Sequence, residues 1–223
     1  MRIEKLIYVR GLRKGLNMKI QLIEISGWSG AIRGMRSPMN SWHLSDSTSY
    51  ALGITDLALL LKLTKAGSEH RKTLRMIHVQ AEFTLPIYIW SEFDTYKVGV
   101  TRNSCSTMHK LGSRDLTCDD FQDGNIHKSL LEELNIIGAN RRDKTSSSEL
   151  KNKLLRMAKQ ILPSGYLQSA VIDANYEVFL NMYHQRKNHR LLEWSGLDGI
   201  CEWIQELPYM EQLIKETTKA NHD

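Results

Sequence analysis

The stretch EFDTYKVGVTRNSCSTMHK, from Glu92 to Lys110, is the part of the sequence on which the interpretation of the fold depends. It contains two acids, two lysines, an arginine and a histidine, and serine and threonine residues cluster around Asn103. Shortly before it, the apolar segment TLPIYIW at 84–90 is typical of the start of a buried element. Such a stretch either lines a ligand pocket or forms a polar edge strand or turn. The pocket interpretation selects Lys97, Thr101, Asn103, Ser104, Ser106 and His109.

The composition is that of a soluble globular protein. The chain has 223 residues, of which 41% are apolar and 25% charged, and this length fits one large domain. No apolar run approaches the roughly 20 residues that a membrane-spanning helix needs. The three cysteines form no C-x-x-C pair and the eight histidines show no H-E-x-x-H spacing. We therefore predict no disulfide framework, no metal site and a cytoplasmic location.

The positive charge is concentrated at the N-terminus. Residues 1–17 contain five basic side chains and one acid, which gives +4 of the net +5. We interpret residues 1–17 as a basic N-terminal extension and residues 18–223 as a single domain. Because the domain is nearly neutral, we do not expect a surface for duplex nucleic acid.

The first half of the domain mixes predicted strands and helices. Apolar periodicity and glycine, serine and proline positions predict the following order: a strand at 19–27, a polar loop at 28–50, a helix from Thr55 that ends at Gly67, a strand at 73–85, and a helix with Pro86 at its first position. The segment around Asn103 stays ambiguous between strand and turn.

From Ile126 onward the pattern favours helices. They are predicted at 126–140, from an N-cap at Ser148 to Pro163, at 168–194, and at 198–216 with an interruption at Pro208. The whole pattern indicates an α+β protein.

The predicted loop at 28–50 contains the first candidate site. Arg33, Arg36, Asn40 and Trp42 lie within ten positions of one another. Arginine forks suit phosphate, and an indole ring can stack on a base. The alternative is a solvated loop whose tryptophan packs into the core. Long polar loops in compact domains are disproportionately functional.

Two further basic clusters have strong structural alternatives. His70 and Arg71 lie at a helix-to-strand junction, where a charged turn is the simpler interpretation. Arg186 and Arg190 are spaced to share one helix face and could bind an anion. Cations near a helix C-terminus also stabilise the helix without any ligand.

The order of these pieces resembles the flavin-dependent thymidylate synthases. That family carries the motif R-H-R-x-x-S-x-N-x-x-S-x-R-Y, whose residues contact flavin and the nucleotide. In YKVGVTRNSCSTMH, the motif's serines fall on Thr101 and Ser106 and its asparagine on Asn103. The family's Glu-His pair before the central strand matches Glu69 and His70.

The sequence departs from this motif at its cations. The three motif arginines fall on Tyr96, Val98 and Met108, its histidine on Lys97 and its closing tyrosine on His109. Each replaced arginine removes five N–H donors and a fixed charge. We therefore expect no bound flavin, with FAD retained only in the alternative that this is a methyl- or hydroxymethyl-transferase for a pyrimidine nucleotide.

The resemblance implies a central, mainly antiparallel sheet flanked by helices, a homotetramer and a nucleotide ligand. The strings WSEFDTYKVG, NSCSTMHK and HRLLEW also resemble proteins of phages and prophages, which would place the protein in a host cytoplasm. There it could sequester a nucleotide, including a nucleotide immune signal. The third alternative is a module that binds a host protein and takes no small ligand.

Overall fold

The computed structural model describes residues 17–48 and 51–219. Its four strands are β1 (Lys19–Ser26), β2 (His78–Pro86), β3 (Val100–Ser104) and β4 (Leu167–Asn175). They form one antiparallel sheet in the order β1-β2-β4-β3. The helices are α1 (Trp28–Arg36), α2 (Ile54–Lys65), α3 (Lys72–Arg75), α4 (Ile87–Phe93), α5 (Thr107–Lys110), α6 (Lys128–Arg142), α7 (Ser148–Ile161), α8 (Tyr176–Arg186), α9 (Leu192–Ser195), α10 (Ile200–Glu206) and α11 (Met210–Lys219). The predicted α+β class with an antiparallel sheet is confirmed.

The two faces of the sheet differ in chemistry. Successive side chains of a strand point to opposite faces. On one face Val79, Ala81, Phe83 and Ile172 are fully buried in the main core with the helices. The opposite face is polar, with Gln21, Glu82, Asn103 and Thr101 among its exposed side chains. The alternation fixes which residues of each strand can meet a ligand or a partner.

The central strand β4 was predicted wrongly as the start of a helix. Ala170, Ile172 and Ala174 are buried at every second position, which is the period of a half-buried strand. Asn175 then caps α8, because its side-chain oxygen accepts a hydrogen bond from the Val178 N–H at 3.1 Å. The sequence signal changes from period two to helical period within one continuous segment without a glycine or proline to mark the change.

The polar loop predicted at 28–50 begins with a helix. In α1 the buried residues Trp28, Ala31, Ile32 and Met35 recur at helical spacing, so its inner face belongs to the main core. Its two glycines had suggested a loop, but both lie under the side chain of Met76. They permit close packing there.

Other predicted boundaries shift by one or a few residues. The N-cap of α7 is Ser147, not Ser148, and its hydroxyl accepts the Leu150 N–H at 3.2 Å. Pro86 ends β2, and α4 begins at the next residue. The short helix α3 occupies the predicted start of the second strand. The predicted helix before Gly67 and the interruption at Pro208 are both confirmed.

A second hydrophobic cluster lies between β3 and β4 in the sequence. It is formed mainly by residues of α6, α7 and the turns before α6, with Leu111, Phe121, Leu134 and Ile137 at its centre. We call residues 105–166 the helical lobe. The proposed N-terminal extension, residues 1–17, lies outside the described residues except for Asn17.

Candidate functional site

A groove of about 670 Å³ lies between one end of the sheet and the helical lobe. The sheet contributes residues from β1, β2 and β4, and the lobe contributes α5 and the turns that follow it. The lining residues are Asn17, Lys19, Thr84, Cys105, Ser106, Thr107, Lys110, Ser113, Arg114, Leu116, Asp119, Asp120, Tyr166, Leu167, Gln168 and Ser169. This is the size range of small-molecule sites in proteins.

The sheet side of the groove is held by short hydrogen bonds. Thr84 and Ser169 lie opposite each other in β2 and β4, and their hydroxyls are 2.6 Å apart. The Cys105 N–H donates to the Ser169 carbonyl at 2.8 Å, and the Gln168 side-chain amide donates to the Cys105 carbonyl at 2.7 Å. These bonds fix the backbone on either side of the groove and hold the Gln168 side chain in one orientation.

Two exposed lysines of the groove have no ion-pair partner among the described residues. Lys19, at the start of β1, and Lys110, at the end of α5, both line the groove. Among the described residues, ion pairs of lysine join Lys128 to Glu132 and Lys215 to Glu211, so neither groove lysine is paired there. The two ammonium groups remain available for a ligand anion.

The third cation of the groove, Arg114, is paired. Its guanidinium donates to both carboxylate oxygens of Asp120, with Nη1 at 2.8 Å from Oδ2. Burial opposes ionisation of Asp120, but hydrogen bonds from Arg114 and from Thr117 outweigh it and lower the pKa of the carboxyl group. Asp120 is therefore the charged counter-ion of Arg114.

The polar stretch from Lys97 to His109 does not form one continuous lining. Ser106 lines the groove, whereas Thr101 and Asn103 point from β3 to the polar face of the sheet. Ser104 alternates to the other face and is partly buried. Lys97 and His109 are exposed, before and after β3, and are not in the groove lining.

The Arg33 and Arg36 side chains have opposite environments. Arg36 is 5% exposed and its Nε donates to Asp56 at 2.5 Å. Because of this buried ion pair, the Arg36 guanidinium is not available to bind a phosphate. Arg33 is exposed and lies over the Trp42 ring, 4.9 Å from the centroid. Asn40 follows as an exposed residue with a left-handed backbone, φ 48°.

Arg186 also has protein partners. Its guanidinium donates to Glu92 and to the Tyr96 hydroxyl, both at 3.0 Å, and lies 5.2 Å from the centroid of the Trp194 ring. The same Glu92 oxygen accepts the Trp194 indole N–H at 2.8 Å. This network joins α8 to α4 and α9.

The remaining basic candidates lie away from the groove lining. Arg190 is exposed and lies beyond α8, which ends at Arg186, so the prediction that these two arginines share one helix face is wrong. Arg71 donates to the Thr64 carbonyl at 2.8 Å, and exposed His70 lies 3.5 Å from Glu69. The structure thus brings Ser106 to the groove and leaves the other candidates at separate places.

Several groove residues were missed by the sequence analysis. Lys19, Arg114, Gln168 and Ser169 come from three separate regions of the chain. Their polar side chains carry no motif or spacing that would have linked them. The usable signal was the antiparallel pairing of β1, β2 and β4, and this required β4 to be recognised as a strand.

The described residues offer little support for a resident metal or a membrane span. Among them, no group of three His, Cys, Asp or Glu side chains could hold a metal ion. Within the same ranges, no helix combines the length and apolarity needed to cross a membrane. Neither protein-family models nor curated protein sequences give a match to this chain.

Solved structures give the decisive comparison. Thymidylate Synthase X (ThyX) from Helicobacter pylori, solved with FAD and dUMP, superposes with a TM-score of 0.64. The match covers 90% of this chain and 99% of that one at 13% sequence identity. The fold is that of the flavin-dependent thymidylate synthases. A second ThyX structure from the same organism, also with FAD and dUMP, gives a TM-score of 0.59, with 14% identity over 90% of this chain and 92% of that one.

No free cation is found at the three positions on which the sequence resemblance places the motif arginines. Of the motif's three arginine positions, Val98 is 91% exposed and Met108 is 55% exposed, and neither side chain offers an N–H donor. At the third, the Tyr96 hydroxyl already donates to Gln185 at 3.0 Å and accepts from Arg186. A flavin pyrophosphate would therefore lack the cations expected at these positions.

Proposed function

We propose that this protein binds a nucleotide in the groove between the sheet and the helical lobe. The observation that carries the proposal is a pair of lysines without an ion-pair partner among the described residues, Lys19 from the sheet and Lys110 from the lobe, in a groove that also contains Ser106. Two ammonium groups match the charge of one phosphate monoester at neutral pH. The ThyX structures that share this fold contain dUMP, which makes a pyrimidine nucleotide the first ligand to test.

The non-ionic groups of the groove suit the rest of a nucleotide. The Gln168 amide already donates to the Cys105 carbonyl, so its oxygen is the end of the side chain left to accept from a base N–H. Ser106 and Thr107 add hydroxyls that can donate or accept. Tyr166 adds an aromatic side chain to the lining. These groups can form hydrogen bonds and ring contacts with the base and sugar of a nucleotide without adding charge to the groove.

We propose binding or sequestration of the nucleotide without flavin-dependent synthase activity. The support is the replacement of the three motif arginines by Tyr96, Val98 and Met108. In a phage setting the ligand would include a nucleotide immune signal. Both similar structures contain FAD, and this supports one alternative function, that of a flavin-dependent transferase acting on a pyrimidine nucleotide.

Calorimetry with dUMP tests the proposed site. Lys110→Ala should weaken binding about tenfold or more, because it removes one charge-assisted hydrogen bond to phosphate. Lys62→Ala, which removes an exposed lysine of α2 outside the groove, should leave the affinity unchanged. Equal affinities for wild type and Lys110→Ala would place the ligand elsewhere.

Mass spectrometry of ligands released from the purified protein distinguishes the alternatives. The proposal expects a nucleotide without stoichiometric flavin. Stoichiometric flavin, with absorbance near 450 nm, would favour the transferase. Neither ligand, together with no dUMP binding in calorimetry, would favour a protein-binding module.

A further inference from the structure

Arg114 in the groove has one edge of its guanidinium group free. Its Nη1 donates to the Asp115 carbonyl and to Asp120 Oδ2, both at 2.8 Å, and its Nη2 donates to Asp120 Oδ1. Arginine has five N–H donors, so Nε–H and the second N–H of Nη2 have no partner among the described residues. These two donors lie side by side on one edge of the planar group, in the geometry that meets two oxygens of a phosphate.

The free edge of Arg114 is accessible and held in place. The Arg114 side chain is 62% exposed and the Asp120 side chain only 14%, so a ligand can reach the arginine while Asp120 stays bound to it. Asp120 is anchored in turn by the Thr117 N–H, which donates to its Oδ2 at 2.8 Å. Because these bonds orient the guanidinium before a ligand arrives, binding there costs less side-chain entropy than at an unrestrained arginine.

Arg114 directly follows the turn that begins at Lys110. The N–H and the hydroxyl of Ser113 both donate to the Lys110 carbonyl, at 3.0 and 2.8 Å. A turn closed in this way brings the Cα atoms of its first and fourth residues within about 7 Å of each other. Lys110 and Arg114 both line the groove. An anion bound at Arg114 would therefore lie next to one bound at Lys110, as neighbouring phosphates of a single ligand do.

We propose that the free edge of Arg114 is a second phosphate subsite and that the groove takes a nucleoside diphosphate or triphosphate. Lys19 and Lys110 together match the charge of one phosphate group at neutral pH, so Arg114 is left for the next one. Since Asp120 balances the charge of Arg114, the second phosphate gains affinity from the two oriented N–H donors. The inference rests on the proposed nucleotide function and specifies the class of nucleotide.

Calorimetry with dUMP and with the diphosphate dUDP, both in EDTA, measures what the second phosphate contributes. We expect wild type to bind dUDP about tenfold more tightly than dUMP, as one charge-assisted contact provides. A diphosphate also carries more charge, so the decisive comparison is with Arg114→Gln. In this variant the preference for dUDP should fall to about twofold or less, while the affinity for dUMP stays within about twofold of wild type.

Two further variants control this comparison. Arg190→Gln removes an exposed arginine outside the groove lining and should keep the wild-type ratio. Arg114→Lys keeps a positive charge beside Asp120 but lacks the second edge of a guanidinium, so it should also lose most of the preference for dUDP. It provides the test if a thermal melt shows that Arg114→Gln does not fold.

The outcomes separate this inference from the proposed function. The second subsite is overturned, and nucleotide binding left intact, by an unchanged ratio in folded Arg114→Gln or Arg114→Lys, by an equal fall in Arg190→Gln, or by an equal loss of both ligands in Arg114→Gln. Binding of FAD that is tighter than that of dUDP and is lost in Arg114→Gln would assign the subsite to a flavin pyrophosphate and overturn the nucleotide class. Failure of wild type to bind dUMP and dUDP overturns both proposals.

Discussion

At the scale of single residues, Arg36 shows that residue type alone does not define a site. Its sequence context, with Arg33 three positions earlier, suggested a phosphate-binding loop. In the structure, burial and the Asp56 carboxylate make it part of the core. Asp56 also accepts hydrogen bonds from the Ser45 and Ser47 hydroxyls, so Arg36 completes a polar network around a buried carboxylate.

Arg36→Ala should therefore reduce stability. Removing one member of a buried ion pair leaves an uncompensated charge and costs about 3–5 kcal/mol. Arg33→Ala, on the exposed side of the same helix, should cost at most about 1 kcal/mol, because it loses only an exposed cation–π contact. Urea unfolding measures both free energies. Similar small losses for the two variants would show that the Arg36–Asp56 pair is not structurally important.

At the scale of elements, local sequence patterns predicted some helices correctly but gave wrong assignments where one element follows another directly. The helix before Gly67 could be predicted because its apolar residues recur at helical spacing and a glycine marks its end. The strand β4 could not be separated from α8 by composition, since alternation changes to helical period at Asn175 without a break. Helix α1 was predicted as a loop because it contains Gly30 and Gly34. These glycines leave room for the Met76 side chain to pack against the helix. Their role depends on a contact between residues more than forty positions apart, which no local pattern contains.

The connection between β1 and α1 depends on Gly27. Its φ is +89°, and an added Cβ would lie 1.9 Å from the Met76 carbonyl oxygen. Gly27→Ala should cost about 2–5 kcal/mol through backbone strain and the forced displacement of Met76. Gly165→Ala is the control, because a Cβ there meets nothing within 4 Å. Thermal denaturation should show a large fall in Tm for the first variant only; equal melts would mean that the junction relaxes freely.

At the scale of the whole molecule, the candidate groove exists only after distant segments meet. Lys19, Lys110 and Ser169 lie on three elements that the antiparallel sheet and the helical lobe bring to one place. The sequence could indicate Ser106 as a lining residue, because it lies in the motif-like stretch. It could not indicate Lys19 or Gln168, since their place in the groove follows from strand register.

Self-association remains a prediction at this scale. Ile89 and Trp90 of the apolar segment TLPIYIW are buried within the chain, so they offer no surface to a second copy. The resemblance to tetrameric enzymes is the remaining reason to expect a homotetramer. Light scattering during size-exclusion chromatography should give about four times the 25.7 kDa chain mass. A constant mass equal to one chain across a wide concentration range would contradict this.

A crystal structure of the protein with dUMP tests the central claim most directly. The account predicts density for the nucleotide in the groove, with its phosphate between Lys19 and Lys110 and within reach of Arg114. Density for the nucleotide at another surface, or an empty groove in crystals grown at saturating dUMP, would contradict it.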